Sequence, residues 1–180
     1  MPAILIFCPG AMTGVDEWVQ IYNPTAMTVS LGSYKIGDEE TQGGAGFAVD
    51  GMWRFPSTAA IAPGQKINIA GTFAGFCNRF GYDPDFAFFD GVDGVNRMSP
   101  YLGWTTAVTL TLANSGDEVL LLGPNDQLVD GVAWGTGSLP GNVSCAAIVP
   151  PPYASLDRTP IWKDTDSCPG DFVANPAALP

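Results

Sequence analysis

Between Thr105 and Gly135 the chain reads TTAVTLTLANSGDEVLLLGPNDQLVDGVAWG, three apolar runs cut by Asn114-Ser115-Gly116 and by Gly123-Pro124-Asn125-Asp126. Gly, Pro, Asn and Asp at such cuts supply the backbone angles of tight turns, and tight turns join antiparallel strands. The stretch predicts three consecutive strands, and the same rhythm runs through the rest of the chain. In EWVQIYNPT, Trp18, Gln20 and Tyr22 alternate with Val19 and Ile21 until Asn23-Pro24 ends the run, because proline cannot donate to a strand ladder. MTVSLGSYKIGDEE alternates again, with Gly32 marking a bulge or bend between two strand halves. WRFPSTAAIAPGQKINIAG gives an extended RFP, a turn at Pro63-Gly64 and a strand with Ile67 and Ile69 inward; SLDRT predicts a last short strand. No window carries a helical period of useful length.

Gly 22 and Pro 16 are spread along the 180 residues rather than repeated, as in a chain of many short strands. The length suits one well-cored domain, so residues 1–180 are read as a single all-β unit, an antiparallel β-sandwich or barrel. Residues 41–51 and 72–104 do not fit a minimal sandwich and are read as long inter-strand loops, where binding function concentrates. NPAALP, residues 175–180, reads as the start of a stiff linker. No apolar run is long enough for a membrane span.

The net charge of -11 disfavours duplex DNA and anionic lipid. Histidine is absent, which excludes a Ser-His-Asp triad, a Cys-His pair and a His-ligated zinc site built from this chain. Cys8, Cys77, Cys145 and Cys168 form no C-x-x-C. Their even number points to disulfides and an oxidising compartment, secreted or cell-surface, with any export signal outside this sequence. Of the three pairings, Cys145 with Cys168 is favoured because it would pin the Pro-rich loop to the C-terminal segment. Cys8 with Cys77 then follows by elimination. The alternative is four buried free thiols.

Asp117, Glu118, Asp126 and Asp130 lie in or beside the turns of the opening stretch. Acids in turns bond nearby backbone N–H groups, so no catalytic residue is assigned. Asp130 is expected to face solvent or a backbone donor. In YDPDFAFFDGVDGVNRM, Asp83, Asp85, Asp90 and Asp93 could supply oxygens to calcium, helped by Asp38, Glu39 and Glu40, although the EF-hand spacing is not met. The alternative is a solvated acidic loop anchored by Phe86, Phe88 and Phe89. Trp53, Trp104 and Trp162 lie near loops and could form a platform for sugar. Arg158, one of few cations, is expected to bond one of the acids and fix the last strand.

In order along the chain, EWVQIYNPT with TVSLGSYKIGD, then RFP, IAPGQKINIAG, LANSGDEVLLLGPNDQLVDGVAWG, SLDRTP and DTDSCPGDF resemble the lamin-tail domain. The resemblance runs from about Ala3 to the C-terminus, interrupted by the two long loops. It implies an immunoglobulin-like β-sandwich and a non-catalytic module, found in nuclear lamin tails and beside nucleases, phosphatases or surface domains in exported bacterial proteins. Lacking heptads and a basic flank, and carrying four cysteines and excess acid, the chain is more similar to the exported branch. The expected function is an interaction or spacer module with a protein or cell-surface glycan partner and no required cofactor. A calcium- or carbohydrate-binding module is the first alternative and a carboxylate-dependent hydrolase the second.

Overall fold

The computed structural model describes residues 3–8, 17–39, 41–43, 50–140, 146–147, 149–151, 154–177 and 179–180, with backbone only for 3–8 and 146–147. Among the described residues, two six-stranded sheets face one another. The first has the order β14-β13-β1-β2-β7-β8, from β1 (Ala3–Cys8), β2 (Trp18–Tyr22), β7 (Lys66–Ala70), β8 (Phe86–Ala87), β13 (Ser155–Arg158) and β14 (Phe172–Asn175). The second has the order β12-β11-β10-β4-β5-β9, from β4 (Lys35–Gly37), β5 (Met52–Arg54), β9 (Ser99–Pro100), β10 (Asp117–Leu122), β11 (Leu128–Trp134) and β12 (Ala146–Ala147). A small pair, β3 (Val29–Ser30) with β6 (Ala60–Ile61), stands apart. This is an immunoglobulin-like β-sandwich.

Alternation along β2 sorts its side chains as the sequence predicts. Val19 and Ile21 enter the main core with Ile67 and Ile69 of β7, against Val119 and Leu121 of β10. Each such residue contributes about 1.5–3 kcal/mol by leaving water. Trp18 turns the other way, into a second cluster with Ala70 and Phe76. The break at Gly32 moves the chain between sheets: β3 pairs with β6, whereas β4 pairs with β5 and β10. Gly135 follows β11 at the open end of the β10–β11 hairpin, in the left-handed region at φ 56. A Cβ there would sit 2.0 Å from the Ser115 carbonyl oxygen, so no other residue fits without rearrangement.

Two expectations about elements are corrected. Residues 72–104 are not wholly irregular: they hold α1 (Phe73–Phe80) as well as β8 and β9. Thr72 caps α1 by accepting the Gly75 N–H at 3.0 Å, Asp90 accepts the Phe73 N–H at 2.8 Å, and Gly81 ends it in the left-handed conformation at φ 79. Phe76 and Phe80 then stand edge-on to Trp18, at 6.3 and 5.8 Å, and cover the outer face of the first sheet. The three-strand reading of the opening stretch also gives way to two strands. Residues 105–113 alternate, with Leu110 and Leu112 buried, yet join no ladder. Carboxylates take the place of a neighbouring strand: Asp38 accepts the Thr111 N–H at 3.0 Å and Asp117 the Ala113 N–H at 2.6 Å.

Cys77 is a free thiol on α1, beside buried Phe76, so the Cys8–Cys77 pairing is corrected. Pairing by elimination counts cysteines and takes no account of the element that carries each one. Cys168 is disulfide-bonded. Cys145 and the side chain of Cys8 lie outside the described residues.

Candidate functional site

The two sheets meet along one flank, where β11 of the second approaches β13 of the first. There Arg158 ends β13 and crosses to Asp130 of β11, with Nη2 donating to both carboxylate oxygens at 2.8 Å. Its Nη1 donates to the Lys163 carbonyl at 2.8 Å and to Asp164 at 3.2 Å, and lies 3.7 Å from Asp171. The guanidinium rests 4.6 Å from the centre of the Phe172 ring. Arg158, Asp130 and Asp171 are all buried. A buried charge is tolerable only when paired and hydrogen-bonded, and here every partner is supplied by the fold. The Arg158 expectation is met, while Asp130 is buried on a cation rather than facing solvent.

α2 (Cys168–Asp171) closes the flank. Asp171 accepts the Thr165 N–H at 2.7 Å and the Thr165 hydroxyl at 2.8 Å. Burial alone would raise its pKa. The hydrogen bonds from Thr165 and Ser167, with the charge of Arg158, outweigh that and hold it below the usual carboxylate value. Lys163 bonds the Gly170 carbonyl and approaches Asp171. Around this cage opens a cavity of about 330 Å³, with Leu128, Val129, Leu139 and Phe172 as apolar wall and Asp164 and Asp166 among its acids.

The remaining acids of the opening stretch are likewise engaged. Asp117 binds backbone N–H groups of Ala113 and Glu118, and Glu118 accepts from Ser138. Asp126 pairs with Lys35 at 2.5 Å and accepts the Tyr101 hydroxyl at 2.8 Å. Burial would raise its pKa, but those two bonds bring it below the usual value. Tyr101 in turn has its pKa raised, first by donating to Asp126.

The calcium expectation does not find its geometry. Asp85 bonds the Asn68 N–H, Asp90 caps α1, and Asp93 faces Arg97 at 3.4 Å on the surface. Together with Asp83 they form no metal-holding group, and among the described residues no three acidic or cysteine side chains do. Backbone donors on separate elements have drawn the carboxylates apart. Glu40 lies outside the described residues. Phe86 and Phe88 are buried, and Phe89 packs against the core, so they anchor the loop.

The tryptophan platform is corrected as well. Trp53 and Trp104 are 1% and 6% exposed, core residues both. Phe88 and Phe89 stack edge-on against Trp53, and Trp104 donates its indole N–H to the Glu39 carbonyl. Trp162 alone of the three is open to solvent, at 73%.

The model of the family described as Lamin Tail Domain matches residues 7–136, more than half of the chain. This chain belongs to the lamin tail domain family. The matched span contains Asp130 but not Arg158 or Asp171, so the flank cage joins the family segment to the C-terminal one. A solved structure of a DUF4876 family protein from Bacteroides thetaiotaomicron VPI-5482 resembles this lamin tail domain with a TM-score of 0.64 and 14% identity, over 96% of this chain and 70% of that one. At that identity the likeness concerns the fold alone. No curated protein matches the chain. No described helix is long and apolar enough to cross a membrane.

Proposed function

We propose that this lamin tail domain is a non-catalytic interaction module of an exported or cell-surface protein. The observation that carries the reading is how the flank cage uses its ionisable groups. Arg158, Asp130 and Asp171 are buried and bonded to one another, and Asp117, Glu118 and Asp126 are held by backbone groups or by Lys35. General acid–base catalysis needs a titratable group left within reach of a substrate proton, and a glycosidase needs two carboxyls facing one another across a cleft. These acids are engaged in holding the sandwich together. Family membership supports the same reading, and the disulfide at Cys168 supports an oxidising compartment.

Two measurements test this. Panels of glycan and phosphoester substrates are expected to stay unhydrolysed; turnover that is lost in Asp85→Ala or Asp90→Ala would overturn the non-catalytic reading. Thiol counting by mass before and after reduction is expected to find Cys168 protected. Free thiol at all four cysteines would remove the support for export.

A further inference from the structure

The flank cavity has a composition that its structural cage does not account for. Four acids, Asp130, Asp164, Asp166 and Asp171, line it against the single cation Arg158. Arg158 meets Asp130 and Asp171 at the buried end and Asp164 at 3.2 Å, and Lys163 stands 3.5 Å from Asp171, so the acids still outnumber the cations. The surplus charge therefore sits toward solvent. Asp164 is half exposed, and Asp166 is exposed with no hydrogen-bond or ion-pair partner among the described residues. Opposite these acids the wall is apolar, with Leu128, Val129, Leu139 and Phe172. On the same loop, between Arg158 and Asp164, stands Trp162, its ring 73% exposed two residues before a cavity-lining acid.

We propose that this cavity receives a basic side chain, arginine or lysine, from an extended segment of a protein partner. This rests on the interaction-module reading and names its partner class. Such a side chain has an apolar stem and a charged head. The stem fits the aliphatic wall, the head meets Asp164 and Asp166, and Trp162 offers a π face to the cation. A volume of about 330 Å³ is at the small end for ligand pockets and suits one long side chain. An anion would meet the surplus acid. A neutral sugar would find the buried polar groups already bonded to each other. Calcium would find too few uncommitted oxygens for a shell of roughly six to eight. The occupant is a peptide because Phe172, in the wall, opens β14, the outermost strand of its sheet. An extended segment can lie along that edge, and the exposed Leu128 and Val173 would meet the residues flanking its basic side chain. The net charge of -11 steers such a partner in.

The test is an NMR titration of the whole ¹⁵N-labelled chain with a capped Gly-Gly-Arg-Gly-Gly peptide, following the Trp162 indole N–H and the amides of residues 164–167. Saturable shifts are expected there. The same peptide with citrulline, which keeps the shape and removes the charge, is expected to bind at least about threefold more weakly, as is the arginine peptide to Asp166→Asn, the scale of one exposed ionic or cation–π contact. Asp166→Lys is expected to abolish the shifts. Asp166 is exposed and outside the cage, so these variants keep the fold, which an unchanged melting curve verifies. Free arginine, whose carboxylate meets the acids, is expected to bind more weakly than the peptide. Absence of shifts, equal binding of the citrulline peptide, indifference to Asp166→Lys, or equal binding of free arginine would each overturn the assignment. None of those outcomes touches the non-catalytic reading, which falls only to substrate turnover.

Discussion

Two regions of the sandwich bury carboxylates in opposite ways. At the flank, Asp130 and Asp171 surround Arg158; burial pushes the Asp171 carboxyl up, but hydrogen bonds from Thr165 and Ser167, with the cation beside them, hold it below the usual carboxylate value. Asp38, which is fully buried, has no cation within bonding distance among the described residues. It accepts N–H bonds from Gly51 at 2.6 Å and Thr111 at 3.0 Å. Burial raises its pKa well above 3.8, with Asp117 and Asp50 adding repulsion, and the two N–H bonds only partly offset that. One residue type thus has opposite linkage to pH, decided by whether hydrogen bonds and a counter-charge together outweigh burial.

The largest expected effect breaks the cationic side of the contrast. Arg158→Met strands Asp130 without a counter-charge and leaves Asp171 only the half-buried Lys163, and should cost about 3–5 kcal/mol of unfolding free energy, read by urea denaturation. A loss under about 1 kcal/mol would mean that the cage does not hold the sheets. Next, Asp126→Asn removes the carboxylate between Lys35 and Tyr101 and leaves a buried ammonium on carbonyls alone. About 1–3 kcal/mol is expected, by the same measurement.

The pH dependence sharpens the comparison. Asp38 binds its proton more tightly folded than unfolded, so its contribution to stability is full below the unfolded pKa near 3.8 and is lost as pH rises through the raised folded value. The difference in stability between wild type and Asp38→Asn should therefore fall as pH rises across that window. Asp171, whose folded pKa is lowered, behaves oppositely. Its contribution is present above the unfolded value and lost as pH falls through the folded one, so the difference from Asp171→Asn should shrink on acidification. Equal slopes for the two variants would erase the distinction. The smallest effect is Trp162→Ala, whose melting curve should shift by no more than about 0.5 kcal/mol equivalent, because the ring is exposed.

The sheets were legible wherever alternation and turn chemistry agreed, as in β2, β7, β10 and β11. α1 was harder to read. Thr72 before it and Gly81 after it are helix signals, but eight residues with a glycine and three phenylalanines show little period or propensity. The cage had one visible sign, a lone arginine in a chain rich in acid; its partner, 28 residues away on the other sheet, could not be read from spacing. Position near a loop misled for Trp53 and Trp104, because burial depends on Phe88, Phe89 and Glu39 arriving from elsewhere in the chain. Trp162 is exposed as its place near a loop suggested, on a segment that Arg158 holds by the neighbouring Lys163 carbonyl.

The carboxylates that stand in for a strand beside residues 105–113 have a further consequence for self-association. An extended segment with unbonded N–H groups is a template on which other chains can polymerise. Asp38 and Asp117 occupy the donors of Thr111 and Ala113 from within the same molecule. A foreign strand offering carbonyls finds those donors taken, and any approach also meets negative charge. The same bonds that deny this segment a place in the sheet deny it to an aggregate.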